Sequence, residues 1–368
     1  MKLDPQCIVF TGGGSGGHIF PGLAVIEELR RSWAGRIVWI GSSKDMERAA
    51  VEKAGLEFLA IPSGKLRRQF SLRNFLDLFR IAAGYVAALG ILRRLRPCLL
   101  FSKGGYVSVP PCAAAAALGI PYFTHESDVS PGLATRLNAG RAAAILVSWQ
   151  ATLNYLKPAW QRKTIICGNP VRSSLAAGDA ARGRAFLGCP AGLPVILVLG
   201  GSQGALQVNG LIGDILPRLA GRAFVAHQTG AGFAPCRPAD SGYRGFEFVH
   251  AEMADLMAAA SLVVGRAGAG TIWESSACGL PLLLIPLSGS GTRGDQVHNA
   301  KLLAAAGAAR CLLGDEANPD RLLAGILQLL ETPAERAALV AALRRQANPA
   351  AAADIAALVV SQATRRQA

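Results

Sequence analysis

The sequence predicts an α/β fold made of two parallel-sheet halves. Three observations carry this. Short apolar runs alternate with helical stretches, the pattern of strands covered on both faces of a parallel sheet. Two glycine-rich loops, "TGGGSGGHIFPGLAV" at 11–25 and "PVILVLGGSQGALQVNGLI" at 194–212, each follow an apolar run and open a helix, so one device begins each half. The 368 residues exceed what a single hydrophobic core usually serves, which favours two domains.

In the first half, "CIVF" (7–10) reads as a buried strand, followed by the glycine loop and a helix from about Pro21 to Arg31. "RIVWIG" (36–41), "PCLLFS" (97–102), "PYFTHES" (121–127) and "AAILVS" (143–148) supply further strands. A second glycine loop, "KGGYVSVPP", follows the 97–102 strand. The pattern restarts at 194, and "FVAHQTG" (224–230), "FEFVH" (246–250), "LVVGRAG" (262–268) and "PLLLIPL" (281–287) complete the second half. "CGNPVR" (167–172) lies between the halves as a hinge, and the Ala- and Arg-rich end from about 333 reads as closing helices.

Hydrophobic residues make up 51% of the chain, which suits a well-cored globular enzyme and excludes a disordered one. The formal net charge of +14 points to an anionic partner such as nucleic acid, anionic lipid or a phosphorylated substrate. A nucleic-acid binder is disfavoured because no helix-turn-helix, zinc-finger or RNP-type aromatic signature is present. The eight cysteines show neither CxxC spacing nor metal-ligand spacing with His, so they read as small buried hydrophobes of a reduced compartment. Asp4 and Pro5 interrupt the start before a strand, so no signal peptide is expected. Gly, Pro and Ser break the long uncharged runs, so no membrane-spanning helix is expected either.

The glycine loops carry the first chemistry. Without side chains, backbone N–H groups approach an anion closely, and the helix N-terminus adds partial positive charge. Two such loops suit a single diphosphate. GxGxxG can be laid onto Gly12, Gly14 and Gly17, but no acidic residue follows the second strand at the ribose position, which weakens a dinucleotide reading. An NAD oxidoreductase shares the fold and would show itself by nicotinamide binding. No Gly-Lys-Ser/Thr follows the loop, and no Asp-x-Asp pair offers to hold a metal–diphosphate complex, so backbone dipoles and side-chain donors must stabilise the anion.

Three further stretches hold candidate site residues. "FTHESDVSPGLATRLNA" (123–139) sets His125, Glu126 and Asp128 just past a strand's carboxyl end, where open α/β sheets bind ligands. "VVGRAGAGTIWE" (263–274) turns into a helix bearing Glu274, whose carboxylate suits the two hydroxyls of a ribose. "GTRGDQVHNAKLL" (291–303) offers Gln296 to a sugar.

Taken in order, "TGGGSGGHIFPGLAV", "KGGYVSVPP", "HESDVSPGLATRLNA", "GNPVR", "LGGSQGALQVN", "GRAGAGTIWE" and "GDQVHNA" resemble the motifs of the MurG family of peptidoglycan glycosyltransferases. They span residues 11 to 300. The resemblance implies a GT-B fold, two Rossmann-like domains facing across a deep cleft. It implies an acceptor- and membrane-binding domain over residues 1–165, a UDP-sugar domain over 166–344, and a C-terminal helix of about 345–368 packed back on the first. The implied reaction is inverting transfer of N-acetylglucosamine (GlcNAc) from UDP-GlcNAc to the 4-hydroxyl of the N-acetylmuramoyl (MurNAc) unit of lipid I, giving lipid II, with no cofactor and no metal in the site.

Carried over by motif, donor contacts fall on Ser15, Gly16, Gly17 and Ser202, with Arg172 as the nucleotide-side cation and His250 near uracil. Ala269, Gly270, Thr271, Ile272, Trp273 and Glu274 are expected to cradle the nucleoside, and Gln296 to meet the sugar. Tyr106 and His125 are implied acceptor contacts. His18 and Glu126 stand as alternative general bases for the acceptor hydroxyl. The chain departs from the family's best-known His-Glu-Gln-Asn pattern by reading His125, Glu126, Ser127, Asp128. Asp128 is carried over as a further donor-binding residue; an amide donates and accepts whereas an ionised carboxylate only accepts, so this carboxylate alters the hydrogen-bonding geometry there.

A lipid-linked acceptor requires contact with the membrane. "GKLRRQFSLRNFLDLFRIAAGYVAALGILRRLRP" (64–97) mixes Arg and Lys with Phe70, Phe75, Leu76, Phe79 and Ile81. Such an apolar patch rimmed by cations suits peripheral attachment to the anionic, cytoplasmic face of the cell membrane. Another lipid-directed inverting GT-B transferase, such as a diacylglycerol glycosyltransferase, is the enzyme alternative, and a nucleotide-sugar-binding scaffold without turnover is the alternative from another class.

Overall fold

The structure, a computed structural model, describes residues 3–65, 72–201, 204–230, 232–236, 242–249, 251–289 and 293–365. The chain divides into two compact units, Met1–Arg172 with Asn348–Ala368, and Ser173–Ala347.

The first unit is built on a parallel sheet with strands β1 (Asp4–Thr11), β2 (Arg36–Gly41), β3 (Glu57–Ala60), β4 (Pro97–Ser102), β5 (Tyr122–Glu126), β6 (Ala144–Val147) and β7 (Thr164–Ile166), in the order β3-β2-β1-β4-β5-β6-β7. Its helices are α1 (Gly16–Leu29), α2 (Asp45–Lys53), α3 (Leu72–Leu95), α4 (Val109–Ala117), α5 (Leu133–Ala139) and α6 (Pro158–Gln161). Alternate residues of β1 feed opposite cores. Ile8 and Phe10 pack with Trp39, Phe101 and the α1 residues Ile19, Val25, Ile26 and Leu29. Cys7 and Val9 pack with Ala88, Leu92 and Leu95 of α3 and with Ala114 and Ala115 of α4. The C-terminal helix (Ala351–Thr364) inserts Ile355, Ala356 and Val359 into the α1 side of this unit.

The second unit repeats the plan. Helices α7 (Ala180–Leu187), α8 (Leu206–Leu219), α9 (Met253–Ala259), α10 (Ala269–Ala277), α11 (Asp295–Ala305), α12 (Pro319–Glu331) and α13 (Pro333–Gln346) precede the C-terminal helix, α14. The sheet, β8 (Val195–Leu199), β9 (Phe224–Gln228), β10 (Tyr243–Phe246), β11 (Ala260–Gly265), β12 (Leu282–Leu284) and β13 (Arg310–Cys311), is parallel in the order β10-β9-β8-β11-β12-β13. Ile196, Val198, Val225 and Val264 meet Val208, Ile212 and Ile215 of α8 and Leu322, Ile326 and Leu329 of α12. In each sheet the strand order reverses beside the strand that ends in a glycine loop, between β1 and β4 and between β8 and β11. These switch points are where doubly wound sheets open room for a ligand.

Four expectations change. The first helix begins at Gly16, not Pro21, with Ser15 extended at the N-cap (φ −158°, ψ 161°). Pro21 lies inside it, leaving the Gly17 carbonyl without its usual i+4 donor. The glycines are therefore the first turn of the helix. Strand β10 lies at 243–246 instead of 246–250 because β9 gives it only a four-residue ladder, Tyr243↔Val225 to Phe246↔Gln228. Beyond it, the Val249 N–H donates to the Gln228 side chain at 3.0 Å. The short edge strands β3, β7 and β13 carry too little apolar signal to be read from sequence. Finally, the segment Phe75–Leu95 of α3, 21 residues, is long and apolar enough by length and composition to cross a membrane. One face of it nevertheless belongs to the first unit's core through Ala88, Leu92 and Leu95.

Candidate active site

The carboxyl ends of β1, β4 and β5, neighbours in the sheet, gather the candidate residues of the first unit. Strand β1 ends in the loop Gly12–Ser15, β4 in Lys103–Gly105, and β5 in residues 127–132.

The two glycine loops meet around His18. Gly14 (φ +93°) lies under the Tyr106 ring, and a Cβ there would sit 2.5 Å from Tyr106 Cε1. Gly105 (φ +75°) faces both the Gly13 carbonyl, which a Cβ would strike, and the His18 ring, where Cδ2 would lie 2.9 Å away. Only glycine reconciles this backbone with that closeness. From below, the buried Glu47 carboxylate accepts from Ser42 N (3.1 Å) and Ser42 Oγ (2.6 Å) and lies against Gly13. Burial pushes its pKa up, and hydrogen bonds from Ser42 and the Gly14 backbone oppose that rise. No motif points to Glu47, because it acts from the next helix.

His18 is the third residue of α1 and half-buried. Its Nδ1 lies 3.2 Å from the Lys103 carbonyl oxygen. A carbonyl only accepts, so Nδ1 carries the proton of the neutral ring and Nε2 keeps the lone pair. Gly16 and Gly17 occupy the first two helical positions, whose N–H groups have no acceptor within a helix. The Arg172 guanidinium stacks on Phe20 of the same helix, 4.8 Å from the ring centroid. Its Nε is buried with no hydrogen-bond partner among the described residues.

His125 is 1% exposed and its Nε2 lies 2.9 Å from the Gly168 carbonyl oxygen, so Nε2 is the protonated nitrogen. Burial, then the nearby Lys103 charge, holds its pKa well below the ordinary range. Glu126 is tied down completely. Oε1 accepts from the N–H groups of Ser127 (2.9 Å) and Asp128 (3.1 Å), and Oε2 from Gly132 N (2.9 Å) and Thr135 Oγ1 (2.6 Å). It fastens the 127–132 loop to the start of α5. Asp128 is half-buried on that loop.

In the second unit, the turn between β11 and α10 is braced from two sides. Asn299 of α11, fully buried, donates Nδ2 to the Ala267 carbonyl at 3.0 Å. Gln296, one turn earlier, accepts the Leu287 N–H through Oε1 at 2.9 Å, which turns its amide nitrogen toward Gly268. Arg266 sits at the β8/β11 switch point and donates to Gln207 (2.9 Å) and to the Ile285 carbonyl (3.1 Å). It is 7% exposed, and desolvation lowers its pKa. Arg266 falls inside a recognisable motif, yet nothing in its local sequence singles it out. Ala269, Gly270, Thr271 and Glu274 are partly exposed along the first turns of α10. The side chains of Ile272 and Trp273 face the core, at 0% and 2% exposure, so these two offer a ligand only backbone. Ser202 and His250 lie outside the described residues. Among the described residues no three His, Cys, Asp or Glu side chains form a metal-ligand cluster.

Comparison with known proteins completes the assignment. Residues 8–147 match the Glycosyltransferase family 28 N-terminal domain, and residues 195–358 match the Glycosyltransferase family 28 C-terminal domain. A Treponema denticola protein named UDP-N-acetylglucosamine--N-acetylmuramyl-(pentapeptide) pyrophosphoryl-undecaprenol N-acetylglucosamine transferase is 48% identical over 335 residues, 86% of each chain. Its namesake from Treponema pallidum is 46% identical over 338 residues, 89% of this chain and 88% of its own. The crystal structure of Acinetobacter baumannii MurG superposes with a TM-score of 0.69 at 23% identity, covering 96% of this chain and 99% of that one, a likeness of fold. With both halves matched in order and relatives of this identity aligned over most of its length, the chain belongs to glycosyltransferase family 28, in the MurG group, with the two-domain α/β GT-B fold.

Proposed function

We propose that the protein is a hexosyltransferase that moves GlcNAc from UDP-GlcNAc to the 4-hydroxyl of the MurNAc unit of lipid I, with inversion, giving lipid II for peptidoglycan. The observation that carries this is the 48% identity to a transferase whose name states that donor and that acceptor. The first unit is the acceptor and membrane side; the second binds the nucleoside.

His18 takes the proton. The Lys103 carbonyl fixes its tautomer, so Nε2 receives the hydrogen of the acceptor hydroxyl as that oxygen bonds to the anomeric carbon. The bond from the anomeric carbon to the diphosphate oxygen breaks, and its electron pair leaves with UDP. The N–H groups of Gly16 and Gly17 and the Arg172 guanidinium receive the growing negative charge, a task that requires no metal. Glu126 shapes the acceptor loop and does not move protons, because both its oxygens are engaged by four donors. His125, Tyr106 and Asp128 contact the sugars. In the second unit Glu274 takes the ribose hydroxyls and Gln296 the donor sugar, with Ser202 and His250 as further donor contacts.

Helix α3 presents Phe75, Leu76, Leu78 and Phe79 outward at 55–64% exposure, with Arg80 beside them and Arg93 and Arg94 in the last turn. We assign this face to the anionic cytoplasmic leaflet, each basic residue adding about 1 kcal/mol near the surface. No nucleic-acid role is proposed. A competition assay tests the acceptor. With radiolabelled UDP-GlcNAc, label is expected on a lipid I analogue in preference to diacylglycerol, in a β linkage by NMR. Preference for diacylglycerol would move the protein to the other class of lipid-directed transferase.

A further inference from the structure

Lys103 is 1% exposed, although lysine is rarely buried without a role. Its ammonium lies under the 127–132 loop and hydrogen-bonds Ser127 Oγ. Ser127 Oγ donates in turn to Asn169 Oδ1 at 2.9 Å, which links β4, the β5 loop and the 168–172 segment. The same residue's carbonyl orients His18, and the following Gly104 and Gly105 pack on the His18 ring. One residue thus touches both the base and the loop that bears Asp128. The charged groups facing its ammonium are Glu126 and Asp128, with the thiol of Cys167 and the neutral ring of His125 beside them. The Glu126 charge is already engaged by four donors; the Asp128 side chain is partly open to solvent.

We propose that Lys103 is a positioning residue for the transfer, a buried cation that holds the 127–128 loop through Ser127 and Asn169 and balances the carboxylate this chain carries at Asp128. This rests on the transferase reading and deepens it, since it explains how a carboxylate serves where the family's best-known pattern has an amide. Burial brings the Lys103 pKa down to about 8, with Glu126 and Asp128 pulling upward against desolvation. The cation is therefore present at neutral pH and lost as pH rises through about 8.

The test uses the full chain with Lys103→Met, Asp128→Asn and the double variant. With a lipid I analogue as acceptor, Lys103→Met is expected to lower kcat/KM for the acceptor at least about tenfold, the size of a strong coupling between neighbouring groups. KM for UDP-GlcNAc should stay within about twofold, and the wild-type decline of rate above pH about 8 should disappear. Adding Asp128→Asn should restore at least about fivefold of that loss. A Lys103→Met enzyme with unchanged kinetics and pH profile, or losses that simply add in the double variant, would overturn the proposal. Lys103→Met is expected to lower the melting temperature, because it leaves the facing carboxylates without their cation, and the unchanged KM for UDP-GlcNAc, with recovery in the double variant, separates the kinetic loss from a general folding defect. A second readout needs no turnover. In protein labelled with ¹³C-lysine, the Lys103 titration midpoint is expected to fall in Asp128→Asn, and an unmoved midpoint would sink the proposal. If wild type transfers nothing to lipid I, the transferase reading fails, while the NMR titration still decides the Lys103–Asp128 coupling.

Discussion

The Nδ1 of His18 lies 3.2 Å from the carbonyl oxygen of Lys103. One contact joins the first helix to the loop after β4 and decides which ring nitrogen is basic. His18→Ala is expected to lower kcat by about 10²–10⁴-fold, the usual worth of a general base. Affinity for UDP-GlcNAc, measured by calorimetry, should change little. Equal kcat in the variant would remove His18 from the reaction.

Gly105 holds a backbone that L side chains rarely adopt, against both the Gly13 carbonyl and the His18 ring. Gly105→Ala is expected to cost roughly 1–3 kcal/mol in urea unfolding and to lower kcat with it, because the displaced group is the base proposed above. Stability reduced with kcat intact would mean that the loop relaxes away from His18.

Glu126 works as a clasp. Glu126→Gln turns one of its two accepting ends into a donor facing donors, at a cost of about 1–3 kcal/mol. The pH–rate profile should keep its shape, since the proposed mechanism passes no proton through this group. Loss of the acidic limb in this variant would make Glu126 the base instead.

The glycine loops, the parallel sheets and most strand positions were legible because their signals are local: apolar runs of strand length, and glycine where φ is positive. The motifs that carry the family resemblance were legible for the same reason. Glu47, Lys103 and Arg266 were not. Each acts across the fold, Glu47 on Gly13, Lys103 on Ser127, Arg266 on Gln207, and nothing in the neighbouring sequence marks them as buried. The helix start at Gly16 was missed because Pro21 is a strong local start signal that packing overrode. Ile272 and Trp273 sit inside a motif, and sequence alone does not say which of its residues point inward.

His227 is fully buried and hydrogen-bonded to Asn209 at 3.1 Å, and desolvation lowers its pKa to about 4. The unfolded chain takes up this proton near pH 6.5 while the native state resists until about 4. Stability should therefore be full above pH about 6.5 and fall on acidification toward pH 4, by up to about 3 kcal/mol from this residue. Urea unfolding at a series of pH values, wild type against His227→Asn, isolates the effect. Parallel curves for the two proteins would contradict it.

Phe75 and Phe79 meet edge to face, 5.0 Å between centroids, on the exposed side of α3. Phe75→Asp and Phe79→Asp are each expected to weaken binding to anionic vesicles about tenfold or more, because the ring no longer transfers its apolar area from water to the bilayer. UDP-GlcNAc affinity should not change. Undiminished sedimentation with vesicles would place the membrane-facing surface elsewhere.

The most direct measurement is transfer of label from UDP-GlcNAc to a lipid I analogue in EDTA, wild type beside His18→Ala. Labelled lipid product is expected from the wild type despite the chelator, with most of that rate gone in the variant. No transfer to lipid I by the wild-type protein would contradict the assignment of donor, acceptor and base together.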